Sequence, residues 1–212
     1  MLLNKNKAKK IIFLLNKSIK NPKTSLKYRN HFTLLTSVLL SAQCTDVNVN
    51  KVTKNIYKKY YKPEHFTKLG KEKIKKLIKS IGLFNNKAKN LFNLSKILVK
   101  QYNSRIPKNF DELVKLPGVG RKTANVVLNA AFNKPTLAVD THVFRISIRT
   151  GLSNGKSPEQ VEKQLLKKIP NKFLRKAHHL LLLHGRNVCK SRNPLCTKCN
   201  INKICLYNNK NE

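Results

Sequence analysis

Four of the five cysteines fall within the last two dozen residues, and this spacing restricts how that end of the chain can fold. They are Cys189, Cys196, Cys199 and Cys205, and the outlier is Cys44. An odd count with one distant member is a poor disulfide framework, so a metal site is favoured. Four thiolates suit zinc or a [4Fe–4S] cluster. Structural zinc sites usually contain two short Cys-x2–4-Cys knuckles, and here only Cys196 and Cys199 form one. The spacing therefore slightly favours the iron–sulfur cluster over zinc.

The charge balance is strongly basic. The chain has 45 Lys+Arg, 9 Asp+Glu and a formal net charge of +36 over 212 residues. Such a charge attracts a large polyanion. However, the excess is mostly Lys with frequent Asn, which a biased coding sequence would produce without selection for binding. Charge alone therefore leaves a nucleic-acid partner open.

The sequence contains no recognisable secretion signal or membrane span. The apolar stretch Ile11–Leu15 is shorter than the apolar region of a signal peptide. No run approaches the roughly 18 apolar residues that a membrane helix needs. We therefore expect a cytoplasmic protein without membrane contact.

Apolar periodicity predicts helices throughout and no strand-like alternation. Lys9–Ile19 has an apolar face at helical spacing, and the more uniformly apolar Phe32–Ala42 is typical of a helix buried in a core. Asp140 is a good N-cap, while Gly82 and Gly151 occupy expected C-cap positions. We predict an all-α fold of about ten helices with short connections.

Residues 108–132 predict two helices joined by the turn Pro117-Gly-Val-Gly120. Gly118 and Gly120 allow positive φ and leave no Cβ between the backbone and a partner. The turn amides and the following helix N-terminus then form an anion site. An ordinary αα-corner would look similar, but Arg121 directly after the turn favours a helix-hairpin-helix motif that binds DNA phosphates.

Two ionisable residues are candidates for chemistry. Lys122 lies in the first turn of the second helix, beside Arg121 and the positive end of the helix dipole, and is a candidate Schiff-base nucleophile. The position of Lys122 alone favours the simpler interpretation, in which this lysine binds phosphate and takes no part in chemistry. Asp140 is one of three aspartates in the chain. As a cap it would contribute about 1 kcal/mol, but phosphate repels an unneeded carboxylate, so we also treat it as catalytic.

At these residues the chain resembles the endonuclease III family. The resemblance rests on Leu116–Leu128, on Val139–His142 and on the four terminal cysteines. It extends over almost the whole chain through Leu39–Val47, Ile81–Ala88 and His184-Gly-Arg186. It implies a bifunctional DNA glycosylase and AP lyase that removes oxidised pyrimidines from duplex DNA. The implied partner is duplex DNA containing oxidised pyrimidines or abasic sites, bound by a monomer.

The resemblance also implies roles for single residues. Lys122 would attack the sugar C1′ of a flipped-out nucleotide, and the resulting Schiff base would lead to β-elimination on the 3′ side. Asp140 would help to activate the amine and stabilise positive charge on the sugar. Gln43 and Leu83 would fill the gap in the duplex and wedge it open.

The terminal cysteines would ligate a [4Fe–4S] cluster, as the resemblance implies. Ligation would fold the C-terminal loop and bring Lys190 and Arg192 to phosphate.

The fold that the resemblance implies has two lobes. A six-helix lobe spans about residues 24–133 and carries the hairpin. Residues 1–23 and 134–212 together would form the cluster lobe.

Three alternatives remain at this point. An adenine glycosylase of the same superfamily would lack the nucleophile and carry an extra C-terminal domain, so Lys122 and the chain end at Glu212 disfavour it. A non-catalytic helix-hairpin-helix module would show salt-sensitive DNA binding without strand cleavage. A degenerate, inactive enzyme is disfavoured by the intact Lys122, Asp140 and cysteines.

Overall fold

The computed structural model describes residues 2–207, which form ten α-helices, one short 3₁₀ helix and no strand. The predicted all-α class is therefore confirmed. The helices are α1 (Lys5–Ser18), α2 (His31–Leu40), α3 (Asp46–Lys59), α4 (Pro63–Leu77), α5 (Phe84–Gln101), α6 (Phe110–Lys115), α7 (Arg121–Phe132), α8 (Thr141–Thr150), α9 (Pro158–Lys168) and α10 (Asn171–Asn187). The 3₁₀ helix is Cys196–Lys198. None of these helices is both long enough and apolar enough to cross a membrane.

The chain divides into two compact units. One is Ser25–Phe132, which contains α2 to α7. The other combines Met1–Thr24 with Asn133–Glu212, and its described part contains α1 and α8 to α10. The second unit is thus built from two separate stretches of the chain.

Helix α2 is the central helix of the Ser25–Phe132 unit. Every residue from Phe32 to Leu40 is buried, as the uniformly apolar sequence predicts. The helix begins with a capping box, in which the Asn30 side chain accepts from the Thr33 amide and the Thr33 hydroxyl accepts from the Asn30 amide. It packs against α3, α5 and α7. Helix α2 is therefore buried along almost its whole length among three other helices of the unit.

Helix α1 packs against α9 and α10 in the other unit. Its residues Ile11, Ile12 and Leu15 are fully buried there. The side-chain amide of Asn200 also donates to the Leu14 carbonyl at 3.0 Å. The N-terminal helix is therefore held by the C-terminal part of the chain.

The two predicted glycine C-caps have different outcomes. Gly151 caps α8 with φ 77°, and a Cβ there would collide with the side chain of Leu206. Gly82 is not a C-cap, because α4 ends at Leu77 and Ile78 follows as its cap. Gly82 instead lies in the turn that leads into α5, so the prediction for this glycine is wrong.

Candidate active site and cysteine cluster

The turn between α6 and α7 is held by the two apolar side chains that bracket it. Leu116 and Val119 are buried, and the Val119 amide donates to the Leu116 carbonyl at 3.0 Å. Gly118 has φ 77°, and a Cβ on it would lie 2.8 Å from Nδ2 of Asn90 and 3.0 Å from Cδ1 of Leu39. Glycine is required here both by the backbone conformation and by the lack of space.

Of the two glycines that allow positive φ in this turn, Gly118 adopts it and Gly120 does not. The positive-φ glycines of the described chain are Gly70, Gly118 and Gly151. The Gly120 carbonyl accepts from the Ala124 amide at 3.0 Å, so Gly120 begins the hydrogen bonding of α7. A Cβ on Gly120 would meet nothing within 4 Å. This open space leaves the backbone accessible to an approaching phosphate, which is the other property expected of the residue.

Lys122 is the second residue of α7 and is exposed. The guanidinium of Arg121 lies 4.9 Å from the centre of the Phe110 ring, a cation–π distance that links the starts of α6 and α7. The amine of Lys122 is therefore carried on a helix terminus that the preceding turn and this stacking hold in place.

Asp140 caps α8, as the sequence predicts. Its Oδ1 accepts from the backbone amides of His142 at 3.0 Å and Val143 at 2.8 Å. Its Oδ2 lies 3.4 Å from Nδ1 of His142, and the Asp140 side chain is 8% exposed. The carboxylate is therefore nearly buried and fixed in orientation at the positive end of a helix.

Gln43 and Leu83 are exposed residues with left-handed backbone, at φ 52° and 59°. Leu83 is the N-cap of α5 and is 54% exposed. A Cβ on Gly82 would lie 3.5 Å from the Gln43 carbonyl oxygen, so the two loops meet through their backbones. Non-glycine residues rarely adopt this conformation, and those that do cluster at functional sites.

All four C-terminal cysteines line one cavity, together with His184. Burial raises the pKa of the Cys199 thiol, and the charges of the other three cysteines raise that pKa further. Across residues 2–207, no three His, Cys, Asp or Glu side chains are arranged as they would be around a metal ion. The four thiols are nevertheless a donor set that suits zinc or an iron–sulfur cluster.

Lys190 and Arg192 are exposed on the loop between Cys189 and Cys196. This loop is held by the guanidinium of Arg149, which donates to the carbonyl oxygens of Lys190 at 2.7 Å and Ser191 at 2.9 Å. Lys190 and Arg192 are thus both accessible to solvent, on a loop whose backbone is held by hydrogen bonds from Arg149.

The sequence did not single out the side chains that contact the cysteine sulfurs. Nε2 of His184 lies 3.6 Å from Sγ of Cys199, and Nη1 of Arg149 donates to Sγ of Cys189 at 3.7 Å. Burial lowers the pKa of His184 to about 4. His184 belongs to a segment that carries the family resemblance, whereas Arg149 gave no signal because it is one of many cations.

Comparison with known proteins identifies the class of protein that this fold and site define. Residues 36–171 match the model of the HhH-GPD superfamily base excision DNA repair proteins. The chain belongs to this superfamily and, within it, to the endonuclease III family. It is therefore a base-excision DNA glycosylase/lyase that binds DNA.

Individual relatives cover nearly the whole chain. Endonuclease III of Rickettsia felis is 56% identical over 200 residues, or 94% of each chain. Endonuclease III of Escherichia coli K12 is 48% identical over 208 residues, which are 98% of this chain and 99% of that one. The solved structure of a trapped covalent intermediate between endonuclease III and DNA has a TM-score of 0.91, 43% identity and 96% coverage of each chain. The alternative of a non-catalytic binding module is not favoured.

Proposed function

We propose that this enzyme removes oxidised pyrimidines from duplex DNA and then cleaves the strand 3′ to the abasic site, with Lys122 as its nucleophile. The observation that carries the assignment is the position of Lys122. Its exposed side chain follows a turn with buried anchors and an open face at Gly120. A phosphate bound by that turn brings the deoxyribose of the same strand towards a lysine two residues further along.

The proposed chemistry requires an amine at this position. The neutral amine of Lys122 attacks C1′ of a flipped-out nucleotide, and the damaged base leaves with the electrons of the glycosidic bond. Ring opening gives a Schiff base between the lysine nitrogen and C1′. The Schiff base acidifies the proton on C2′, and its loss expels the 3′ phosphate by β-elimination. Base flipping costs a few kcal/mol and least at a damaged pair, so the lesion supplies part of the selectivity.

Asp140 is proposed to help to activate the amine and to stabilise positive charge on the sugar. Two amide hydrogen bonds to Oδ1 and the adjacent helix terminus favour its carboxylate form. The cap also fixes the direction of the carboxylate. A cap and a catalytic group are therefore compatible in one residue.

The proposed DNA contacts come from three places. Gly118, Gly120 and Arg121 would bind phosphate at the hairpin. Gln43 and Leu83 would occupy the space that the flipped nucleotide leaves, which is supported by their exposure and their left-handed backbone. Lys190 and Arg192 would add phosphate contacts from the cysteine loop, where both are exposed.

The four cysteines around one cavity are proposed to hold a [4Fe–4S] cluster. The cluster would cross-link the C-terminal segment and contribute to folding. Base release and β-elimination transfer no electrons, so neither step requires the cluster to act in redox chemistry.

We further propose that the enzyme is a monomer in the cytoplasm, where thiols remain reduced and available to a metal.

The test is borohydride trapping on duplex DNA that contains either thymine glycol or an abasic site. Lys122→Gln is compared with Lys115→Gln, which removes the same charge from an exposed lysine of the same hairpin. The unmodified enzyme and Lys115→Gln should form a covalent complex with both duplexes, and Lys122→Gln with neither. Trapping on the abasic duplex alone would contradict the oxidised-pyrimidine assignment. DNA binding without any trapping would contradict the catalytic one.

A further inference from the structure

Lys87 is the only lysine of the described chain that is buried, with 5% of its surface exposed. Lysine is almost never buried unless its charge is compensated. The ammonium group donates to two backbone carbonyl oxygens, those of Leu40 at 2.9 Å and Ala42 at 2.6 Å. Burial lowers the pKa of Lys87, while the nearby Cys44 thiol raises it. Lys87 is therefore a buried cation whose ammonium group binds two carbonyl groups of one backbone segment.

The two carbonyl groups belong to the loop that carries Gln43. Leu40 is the last residue of α2, where unpaired carbonyl groups favour a cation. The Ala42 carbonyl lies in the same peptide plane as the Gln43 nitrogen. Its orientation therefore affects the backbone of Gln43, which is held at φ 52°. A residue other than glycine is strained in the left-handed region, so neighbouring contacts must stabilise it.

Lys87 also belongs to the segment that carries Leu83. Its backbone amide donates to the Leu83 carbonyl at 3.1 Å in the first turn of α5. A second link joins the same two loops: the side-chain amide of Asn48 donates to the Ser80 carbonyl at 3.1 Å and to Sγ of Cys44 at 3.4 Å. Lys87 thus joins the Gln43 loop to the start of the helix that Leu83 caps.

We propose that Lys87 is a positioning residue for base excision, whose ammonium group holds the Gln43 loop against the start of α5 before DNA arrives. The inference rests on the proposed insertion of Gln43 and Leu83 into the duplex. A loop held in its binding conformation loses less entropy on binding, so the link favours duplex opening. Lys87 needs no contact with DNA for this effect.

The first test separates duplex opening from chemistry. Opening is followed by the fluorescence of 2-aminopurine beside an abasic site in a duplex. Chemistry is followed by borohydride trapping on a single-stranded abasic oligonucleotide, which needs no wedge. Lys87→Met should reduce the opening signal or its rate by about tenfold, equivalent to roughly 1.4 kcal/mol. Single-strand trapping should stay within about twofold, and Lys87→Arg should recover part of the opening because it keeps a donor cation.

Lys168→Met is the matched control. Lys168 is also partly buried and donates to a backbone carbonyl, that of Leu152 at 2.9 Å, but it belongs to the other unit. This variant should leave both readouts unchanged. If Lys87→Met opens the duplex as the unmodified enzyme does, or loses single-strand trapping to the same extent as opening, the positioning role is overturned.

A double variant identifies the route of the effect. If Lys87 acts through Gln43, then Lys87→Met combined with Gln43→Ala should be no worse in opening than the more defective single variant. Multiplied defects would overturn the inference, as would normal opening by Gln43→Ala. If the unmodified enzyme itself gave no trapping on the single-stranded oligonucleotide, the proposed nucleophile would be contradicted. The fluorescence comparison would still decide the role of Lys87, because it measures duplex opening and not chemistry.

Discussion

Asp140 and Val143 are joined by a 2.8 Å hydrogen bond from the backbone amide of Val143 to the carboxylate Oδ1. The bond makes Asp140 the N-cap of α8, although the same carboxylate is proposed to serve catalysis. A hydroxyl group can replace a carboxylate as a helix cap but cannot supply its charge. The two roles can therefore be separated by substitution.

Asp140→Ser should keep the helix and lose the chemistry. Serine caps about as well as aspartate, so we expect the free energy of unfolding to change by less than about 0.5 kcal/mol. Single-turnover base release should fall by about a hundredfold or more. Urea unfolding and quenched-flow kinetics measure the two effects. Asp140→Ala is the comparison, with the same kinetic loss and about 1 kcal/mol of lost stability. Normal base release by Asp140→Ser would leave Asp140 as a cap only.

The two glycines of the hairpin should respond differently to the same added methyl group. Gly118→Ala should destabilise the protein by about 2 kcal/mol, because alanine is strained at this φ and its Cβ would meet Asn90 and Leu39. Gly120→Ala should leave stability nearly unchanged and weaken DNA binding, since the methyl would occupy open space that a phosphate is expected to approach. Urea unfolding and fluorescence anisotropy with a labelled duplex measure the two properties. Undiminished DNA affinity in Gly120→Ala would show that no phosphate approaches there.

The sequence predicted the helices well because their signals are local. The uniformly apolar Phe32–Ala42 corresponds to the buried α2, which ends two residues earlier at Leu40. The Asp140 cap followed from residue type and position. At Gly118 and Gly120 the residue type allowed positive φ at both positions but could not say which glycine adopts it, because a glycine tolerates many conformations.

Other parts of the candidate site could not be read from the chain. Nothing local predicts left-handed backbone at Gln43 or Leu83, since neither residue type favours it. The burial of Lys87 is equally hidden, because a lysine near a helix start is normally exposed and this one is explained only by carbonyl groups more than forty residues away in sequence. These features depend on tertiary contacts between segments that are far apart in sequence, so no local pattern predicts them.

Alkaline pH should destabilise the protein partly through Tyr57. Its hydroxyl lies 2.7 Å from Oγ of Ser37 and donates to the Thr33 carbonyl at 3.1 Å. Burial raises the pKa of Tyr57 well above its usual value of about 10, against a smaller lowering by Ser37. The unfolded chain therefore loses this proton first, so the stabilisation is complete below about pH 10 and declines as pH rises above it.

Tyr57→Phe should remove this part of the pH dependence. The free energy of unfolding should fall less steeply above about pH 10 than in the unmodified protein. At neutral pH the variant should be less stable by about 1–3 kcal/mol, because buried polar groups lose a partner. Tyr28→Phe, at a residue 44% exposed, is the control and should keep the original slope. Equal slopes in Tyr57→Phe and the unmodified protein would contradict the assignment.

Cys199→Ser should remove iron from the protein and destabilise the unit that contains the cysteine cavity. Its effect on excision should come mainly through weaker DNA affinity, because the loop with Lys190 and Arg192 would lose its cross-link. Iron and sulfide analysis, thermal unfolding and anisotropy measure the three effects. Cys44→Ser alters the cysteine outside the group and should keep its iron. One zinc per chain without iron, or unchanged thermal stability in iron-free Cys199→Ser, would contradict the cluster assignment.

The pairing of α1 with α9 and α10 has a consequence for how the protein is synthesised. Helix α1 is synthesised before Ser25–Phe132, whereas the helices that cover Ile11, Ile12 and Leu15 are synthesised after it. The intervening six helices can complete their own core during translation. Throughout that interval the apolar face of α1 is exposed on the nascent chain. Helix α1 is thus made early and buried late, which gives a molecular chaperone time to act on its apolar face.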